Sequence, residues 1–169
     1  MAPPPSSAQP SSVAQPTGAP GHLLQEGDRA PNITVRAHNG QELNFSTFRS
    51  KPVVVYFYPR DDTPGCTTEA QGFRDSWGEI EKAGALVVGV STDDNTSHQA
   101  FAKKYELPFP LLADTDQKLA DAFGVKVWAN YAERVTFVID RSGKVAKVFP
   151  KVVPKNHAAE VMAVLHALN

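Results

Sequence analysis

A charge-free run of β-branched and aromatic residues, Val53-Val-Val-Tyr-Phe-Tyr58, constrains the fold more than any other feature of the sequence. Such a run predicts a strand that is buried on both faces, as at the centre of an α/β sheet. Pro59 ends the run. Asp62 and Thr63 can cap a helix and Pro64 suits a first helical turn, so the sequence predicts that a helix begins here.

Cys66 falls in the first turn of this predicted helix, on the edge of an apolar face formed by Ala70, Phe73, Trp77 and Ile80. Unpaired backbone N–H groups and the helix dipole favour an anion at a helix start. They therefore favour the thiolate, which is the nucleophilic form of cysteine. A lone cysteine is more often a small, inert buried residue, and composition alone favours that alternative. The position of Cys66 after a strand and two prolines instead indicates a reactive thiol.

The segment around Cys66 resembles a known family. Pro59-x-x-x-Thr63-x-x-Cys66 is similar to the peroxiredoxin signature. The longer string Phe57-Tyr-Pro-Arg-Asp-Asp-Thr-Pro-Gly-Cys-Thr-Thr-Glu-Ala70 resembles the PrxQ group, also called bacterioferritin comigratory proteins, and the resemblance extends from about Leu24 to the C-terminus. It implies a thioredoxin-like fold and a thiol-dependent peroxidase, in which a peroxidatic cysteine reduces hydrogen peroxide and organic hydroperoxides through a sulfenic acid.

Length and charge limit the classes of function. A chain of 169 residues favours one domain. A net charge of -1 gives no general reason to expect nucleic-acid or membrane partners, and no apolar run approaches the length of a membrane span. The single cysteine excludes an intrachain disulfide and a cysteine-rich zinc site, and it fits a reducing compartment.

The N-terminal segment is rich in Pro, Ala, Ser and Gln, and no Lys, Arg, Asp or Glu occurs before Glu26. We expect a disordered tail over residues 1–22 and one folded domain over residues 23–169. The tail lacks the basic and apolar regions of a signal peptide. We therefore expect a cytoplasmic protein, or a periplasmic or exported one if a leader was removed before residue 1.

The rest of the chain alternates predicted strands and helices. Ile33–Ala37 and Gln41–Phe45 are predicted to pair as a hairpin with an Asn-Gly turn. The later predicted elements are a helix from Cys66 to about Gly84, a strand over Ala85–Ser91, a helix through Tyr105, a strand over Phe109–Leu112, a helix over Gln117–Phe123, a loop over Val127–Glu133, a hairpin of Arg134–Ile139 and Lys144–Phe149, and a helix from Asn156.

This order predicts an α/β fold of the thioredoxin-like class, a three-layer α/β/α sandwich with a mixed sheet and an added N-terminal β-hairpin. The pattern alone also allows a small flavodoxin-like sheet. The family resemblance favours the thioredoxin-like fold.

The peroxide reduction that the resemblance implies requires the site to stabilise two negative charges, one on the thiolate and one on the leaving oxygen. A thiolate that attacks one peroxide oxygen releases the other as hydroxide or alkoxide, and backbone donors at the helix start can stabilise both anions. Thr63 can place a hydroxyl near the sulfur and the peroxide. Pro59 and Pro64 are predicted to shield the thiolate and to fix the loop.

A cation is also needed, and Arg134 is the candidate. The resemblance implies that the Arg of an Arg-x-Thr-Phe segment contacts the cysteine and the peroxide, and Arg134 matches that position. A guanidinium keeps its charge and offers forked donors. Without the resemblance, a solvated arginine at a strand end is the better interpretation. Arg60 lies in a loop that we expect to face water, and it ranks below Arg134.

Glu69 also matches the family string. Its ordinary interpretation is a carboxylate in the first helical turn that complements the dipole, and the alternative is a part in proton handling or in orienting Arg134. Core packing is the better interpretation of Phe57. The candidate walls of the pocket are Tyr56, Phe57, Trp128 and Tyr131.

We predict neither a cofactor nor a metal site. Asp93-Asp94 and Asp114-Thr-Asp116 are interpreted as cap and turn residues, and no Gly-rich phosphate loop occurs. A Cys-His hydrolase is conceivable, although no histidine is near Cys66 in sequence. Five histidines without metal-ligand spacing among themselves are expected to be surface or cap residues: His22, His38, His98, His157 and His166.

The chain departs from the family pattern at the second cysteine. Many PrxQ proteins carry a resolving cysteine five residues after the first, where this chain has Gln71, and others carry it on the following helix, which has none here. The resemblance thus implies a one-Cys, monomeric form whose sulfenic acid is resolved by thioredoxin, glutaredoxin or a small thiol. Without such a thiol, oxidation proceeds to sulfinic acid. The alternative is a redox sensor or binding protein on the same scaffold, without turnover.

Overall fold

The computed structural model describes residues 22–45 and 50–168. Residues 1–21 of the predicted tail lie outside this range, and His22 is exposed. The elements in chain order are β1 (Thr34–Arg36), β2 (Glu42–Asn44), β3 (Val53–Phe57), α1 (Pro64–Asp75), α2 (Trp77–Lys82), β4 (Leu86–Ser91), α3 (Asn95–Tyr105), β5 (Leu111–Ala113), α4 (Lys118–Phe123), β6 (Val127–Trp128), β7 (Tyr131–Ala132), β8 (Val135–Ile139), β9 (Val145–Phe149) and α5 (Pro154–Leu168).

The central feature is a mixed five-stranded sheet in the order β5-β4-β3-β8-β9. The strand predicted from the charge-free run is β3, and all of its residues are fully buried. It pairs in parallel with β4 and antiparallel with β8. The prediction of a buried central strand is confirmed.

Two apolar clusters cover the two faces of this sheet. Side chains along β3 alternate between them, with Val53, Val55 and Phe57 in one cluster and Val54 and Tyr56 in the other. The first cluster includes residues of α4 and of the β1–β2 hairpin. The second includes Cys66 and residues of α1, α2, α3 and α5. The molecule therefore has the predicted three layers.

The N-terminal hairpin is present as a separate two-stranded sheet. β1 and β2 pair antiparallel, with Val35 opposite Leu43, and Gly40 takes a φ of +85° in the connecting turn. That turn needs a residue that tolerates positive φ, as the Asn-Gly pair predicted.

The predicted helix from Cys66 to Gly84 is instead two helices, α1 and α2. Ser76 joins them with φ -92° and ψ 4°, outside the α-helical range, so the chain bends at this residue. Phe73 before the bend and Ile80 after it are both fully buried. The apolar spacing predicted the buried face correctly but carries no signal of the bend.

The predicted loop over Val127–Glu133 contains a small hairpin of β6 and β7. Its turn residues Ala129 and Asn130 have φ values of +51° and +68°, as a two-residue hairpin turn requires. Alanine is uncommon in that conformation, and for this reason the local residue pattern does not indicate a hairpin.

Prolines account for two further differences from the predicted boundaries. The last helix begins at Pro154, two residues before Asn156, because proline is suited to the first position of a helix. The strand predicted over Phe109–Leu112 is β5, and it begins only after Pro110, which has no N–H to donate. No helix among the described residues is long and apolar enough to cross a lipid bilayer.

Candidate active site

The start of α1 places Cys66 in an anion-stabilising position. Thr63 is the N-cap, with an extended backbone, and Pro64 opens the helix, so Cys66 is its third residue. No described side chain caps the first amides of α1, and these amides have no partner within the helix itself. They remain as donors beside the sulfur. Cys66 is 1% exposed, so only a small substrate can reach Sγ without movement of the protein.

Thr63 contributes to the loop that precedes the helix. Its hydroxyl donates to the carbonyl oxygen of Arg60 at 2.9 Å instead of accepting from an amide of α1. Its own carbonyl oxygen accepts from the Thr67 amide at 2.8 Å, the first hydrogen bond into the helix. Thr63 thus joins the loop and the first turn of α1.

Arg134 reaches the sulfur from the neighbouring strand. It directly precedes β8, and β8 pairs with β3 so that Val135 lies opposite Phe57 at the end from which the chain leads to Cys66. Nη2 of Arg134 donates to Sγ of Cys66 at 3.4 Å, and Nη1 donates to Oε1 of Glu69 at 2.7 Å. The guanidinium therefore bridges the thiol and a carboxylate.

Glu69 is a buried carboxylate. It is the sixth residue of α1, so the interpretation as a first-turn carboxylate is wrong: it lies in the second turn, where the dipole at the helix start has little effect. Burial raises the pKa of Glu69 from 4.5 to about 7, against the opposing effect of the Arg134 charge. Its Oε2 has no hydrogen-bond partner among the described residues. Glu69 can thus change its charge near neutral pH.

Gly65 makes room for the guanidinium, a role that sequence reasoning missed. A Cβ at this position would lie 3.1 Å from Nη2 of Arg134 and 3.7 Å from Cγ of Pro154. Arg134 passes directly over the glycine on its way to Cys66. The available signal was a glycine in the first turn of a helix, where residues with better helix propensity are normally preferred.

The loop before α1 is held from the opposite side by α3. Asp61 is 7% exposed, and its carboxylate accepts hydrogen bonds from Tyr58, Ser97 and His98. Asp62, a predicted cap, does not cap α1: its carboxylate accepts from Lys104 at 2.8 Å and from Tyr105 at 2.7 Å. Both aspartates therefore connect the loop to α3.

Comparison with known proteins decides the family. The AhpC/TSA family profile matches residues 26–148, which is most of the chain. The chain belongs to the AhpC/TSA family. It is 44% identical over 148 residues to peroxiredoxin Q of Populus jackii, a chloroplastic protein, with coverage of 86% of this chain and 70% of the relative.

Solved structures of PrxQ relatives share the fold of this peroxiredoxin. The crystal structure of peroxidoxin BcpB from Mycobacterium tuberculosis matches with a TM-score of 0.80 and 34% identity over 86% of this chain and 99% of that one. The bacterioferritin comigratory protein of Xanthomonas campestris matches with a TM-score of 0.78 and 34% identity over 86% and 97%. The predicted thioredoxin-like fold and the resemblance to the PrxQ group are confirmed.

The other predicted site residues of this peroxiredoxin differ in their exposure to solvent. Pro59 is half-buried two residues after the end of β3, and Pro64 is exposed at the start of α1. Gln71 is half-buried on α1, and the chain has a single cysteine, Cys66. The chain thus has no second thiol, at Gln71 or on the following helix, that could act as a resolving cysteine.

Of the four predicted pocket walls, two are core residues and two are exposed. Tyr56 and Phe57 are fully buried in β3, whereas Trp128 is 81% exposed and Tyr131 43% exposed. Arg60 is exposed, as expected, and its Nη1 donates to the hydroxyl of Tyr131 at 3.2 Å. Trp128 is therefore not a wall of an enclosed pocket.

The prediction of five surface or cap histidines is wrong for His98 and His157, which are fully buried. The ring nitrogens of His157 contact Thr136 Oγ1 at 2.8 Å and Glu160 Oε1 at 3.2 Å, and burial lowers the pKa of His157. Those of His98 contact Asp61 and the Leu112 carbonyl oxygen. Because both rings are engaged elsewhere, neither serves as the base of a Cys-His hydrolase.

Aspartates at two helix starts are caps, as predicted. Asp94 accepts from the Ser97 amide at 2.9 Å, and Asp114 accepts from the Leu119 and Ala120 amides in the first turn of α4. Asp93, in contrast, faces Asp61 and His98, and potential ligand atoms of these three lie within 4.8 Å of one another. Those atoms already form hydrogen bonds with protein groups, which favours a hydrogen-bond network over an ion site.

Proposed function

We propose that Cys66 is the peroxidatic nucleophile of this peroxiredoxin, which as a member of its family is a thiol-dependent peroxidase. The observation that carries the proposal is the position of Sγ, in the first turn of α1 and 3.4 Å from Nη2 of Arg134. A helix start and a guanidinium both favour the thiolate. No other thiol in the chain can take this role.

In the first step, the Cys66 thiolate attacks the terminal oxygen of a hydroperoxide. A sulfur–oxygen bond forms and the oxygen–oxygen bond breaks, so Cys66 becomes a sulfenic acid and the other oxygen leaves as hydroxide or alkoxide. Arg134 stabilises negative charge first on sulfur and then on the leaving oxygen, and electrostatic stabilisation of this kind is usually the largest single contribution to catalysis. The leaving oxygen then takes a proton.

The surrounding residues support this step in different ways. Glu69 accepts from Nη1 of Arg134, which orients Nη2 toward the sulfur. We assign Thr63 to orienting the peroxide with its hydroxyl, and Pro59 and Pro64 to shielding the sulfur from water.

The sulfenic acid requires a thiol from outside the chain, because Cys66 is the single cysteine. One external thiol attacks the sulfenic sulfur, releases water and forms a mixed disulfide, and a second thiol restores Cys66. We propose a thioredoxin, a glutaredoxin or a small thiol as this reductant, and a monomeric enzyme. The Xanthomonas campestris relative is described by its alkyl peroxide reduction activity, which supports organic hydroperoxides as substrates.

We also propose that residues 23–169 form the catalytic domain, preceded by a tail that is dispensable for catalysis. The boundary of this domain is supported by Leu24, which is 2% exposed. The Leu24 amide donates to the Phe123 carbonyl oxygen at 3.0 Å, so the chain is already bound to the core at this residue. Removal of residues 1–21 should leave the peroxidase rate and the melting temperature unchanged. A fall of several degrees would show that the tail contributes to the fold.

The decisive experiment is peroxide consumption by wild type and Cys66→Ser with excess dithiothreitol. We expect many turnovers in wild type and none above the uncatalysed rate in Cys66→Ser, with equal circular dichroism spectra. Retained activity in Cys66→Ser contradicts the proposal. A wild type that consumes one equivalent and then stops with every reductant indicates the redox sensor instead.

A further inference from the structure

We propose that His98 and Asp61 are positioning residues for the peroxide step: a buried, proton-sharing pair that holds the Cys66 loop, residues 59–63, against α3. This inference rests on the nucleophilic role proposed for Cys66. Neither residue touches the sulfur in the contacts described above, so the pair acts through the loop and the start of α1.

The contacts of the His98 ring fix its proton count. Nε2 lies 2.9 Å from the carbonyl oxygen of Leu112, which can only accept, so Nε2 carries a proton. Nδ1 lies 2.8 Å from Oδ2 of Asp61, and this contact is a hydrogen bond only if a second proton lies between the two atoms. The pair therefore holds one proton more than a neutral imidazole and a carboxylate would hold separately.

Two other donors place that second proton on the ring. Tyr58 donates its hydroxyl to Oδ1 of Asp61 at 2.6 Å, and Ser97 donates to Oδ2 at 2.8 Å. With the ring, the carboxylate accepts three hydrogen bonds, which favours its charged form. Burial, followed by the nearby Asp61 charge, raises the pKa of Tyr58 well above its ordinary value, so its hydroxyl remains a donor. The pair is an imidazolium beside a carboxylate.

The burial of the pair makes this contact strong and directional. The side chains of His98 and Asp61 are 0% and 4% exposed, so water does not compete for the hydrogen bond. Charge-assisted hydrogen bonds are shorter and stronger than neutral ones, and a buried charge that loses its partner is strongly unfavourable. Displacement of Asp61 from His98 is therefore resisted.

The pair controls the part of the chain that leads to Cys66. The Asp61 amide donates to Oδ2 of Asp93 at 2.8 Å, so the backbone is held as well as the side chain. Asp62 follows with φ +57°, in the left-handed region, which is uncommon for non-glycine residues although aspartate tolerates it better than most. Thr63 comes next and accepts the first hydrogen bond of α1. A shift of Asp61 is thus passed to Thr63 and to the donors beside Sγ.

Two variants of His98 distinguish a role in positioning the Cys66 loop from a general contribution to the stability of the fold. Asparagine can place its amide nitrogen near Nδ1 of His98, whereas glutamine can place its amide nitrogen near Nε2. His98→Asn thus keeps a donor for Asp61, and His98→Gln keeps only the contact with the Leu112 carbonyl. We expect Cys66 oxidation by one equivalent of hydrogen peroxide, in stopped flow, to stay within about threefold of wild type in His98→Asn and to slow about tenfold to a hundredfold in His98→Gln. Equal rates in the two variants contradict the proposal.

Nuclear magnetic resonance tests the pair in the wild-type chain, whether or not the variants fold. At pH 7, ring ¹⁵N spectra should show both nitrogens of His98 protonated, and an unprotonated nitrogen would overturn the assignment. In His98→Gln, the Thr67 amide should exchange with solvent faster than in wild type, and unchanged exchange contradicts the role of His98 in holding the loop. These two readouts do not use peroxidase activity. Failure of the role proposed for Cys66, seen as activity in Cys66→Ser, is therefore distinguishable from failure of this inference.

Discussion

Two buried carboxylates flank the start of α1, and their surroundings differ. Asp61, on the α3 side, accepts three hydrogen bonds on its two oxygens. Glu69, on the β8 side, accepts from Arg134 on Oε1, and its Oε2 has no partner among the described residues. Both side chains are almost fully buried, at 4% and 0% exposure, so burial does not account for the difference.

The comparison shows that the number of hydrogen-bond donors around a buried carboxylate influences its role in the site. A carboxylate that accepts hydrogen bonds on both oxygens fixes geometry, as Asp61 does for the Cys66 loop. Glu69 has too few donors to offset burial, and its pKa of about 7 lets its charge change near neutral pH. One side of the site holds the backbone, and the other adjusts the charge around the reacting sulfur.

The largest expected effect comes from Arg134→Met, which removes the cation on the Glu69 side. Loss of one preorganised donor typically slows a reaction about a hundredfold to a thousandfold, or about 3–4 kcal/mol. Methionine keeps much of the aliphatic bulk, and the fold should survive because Glu69 can take up a proton when its partner is lost. Stopped-flow oxidation of Cys66, at a pH where both proteins carry the thiolate, measures the effect.

Lys104→Met is the matched control on the Asp61 side. Lys104 pairs with Asp62 at 2.8 Å, but both side chains are about half exposed, at 57% and 45%. An exposed ion pair contributes little, so the rate should stay within about twofold of wild type. Equal losses in Arg134→Met and Lys104→Met would remove the distinction between the two sides, and a rate within threefold of wild type in Arg134→Met would make Arg60 the next candidate.

The second prediction concerns Glu69→Gln and the pH dependence of stability. A pKa that folding raises from 4.5 to about 7 contributes stability that is present below pH 4.5 and is lost as pH rises through 7. This change in pKa corresponds to a change of at most about 3 kcal/mol in the free energy of unfolding. The free energy of unfolding of wild type, relative to Glu69→Gln, should therefore fall between pH 4.5 and pH 8 in denaturant titrations.

Glu81→Gln, at an exposed position of α2, is the control for this measurement. Its free energy of unfolding should differ from that of wild type by a constant amount over the same pH range. If wild type and Glu69→Gln also differ by a constant amount, Glu69 does not change its charge in this range and the contrast with Asp61 disappears.

The smallest expected effect comes from Gly65→Ala. The added Cβ would lie 3.1 Å from Nη2 of Arg134, so the guanidinium must move by a few tenths of an ångström. Such a shift of a charge-stabilising group should slow Cys66 oxidation roughly threefold to tenfold. Gly78→Ala in α2 is the matched control, because a Cβ there has no neighbour within 4 Å, and it should raise stability without changing the rate. An unchanged rate in Gly65→Ala would show that the position of Nη2 is not critical.

The central strand and the start of α1 could be predicted because their signals are local. The run that forms β3, the proline that ends it and the order Thr63-Pro64 at the helix start are all readable within a few residues. Arg134 is more distant, and only the family resemblance indicated its proximity to Cys66. The pairing of β8 with β3 is the physical reason for that proximity.

The Asp61 side of the site could not be predicted from the sequence. His98 is 37 residues from Asp61, and a histidine on a helix normally indicates an exposed residue. Its contact depends on the packing of α3 beside the loop, which no local pattern encodes. The burial of Glu69 was missed for a similar reason, because it is a tertiary feature, and the ion-pair partner of Glu69 is Arg134, 65 residues away.

The most direct test of the central claim is the identity of the first oxidised atom. Wild type is mixed with one equivalent of hydrogen peroxide, a sulfenic-acid trapping reagent is added, and the peptides are analysed by mass spectrometry. We predict that the peptide containing Cys66 carries the trapped adduct in wild type, and that far less forms at the same early time in Arg134→Met. Consumption of the peroxide by wild type with Cys66 unmodified would contradict the account.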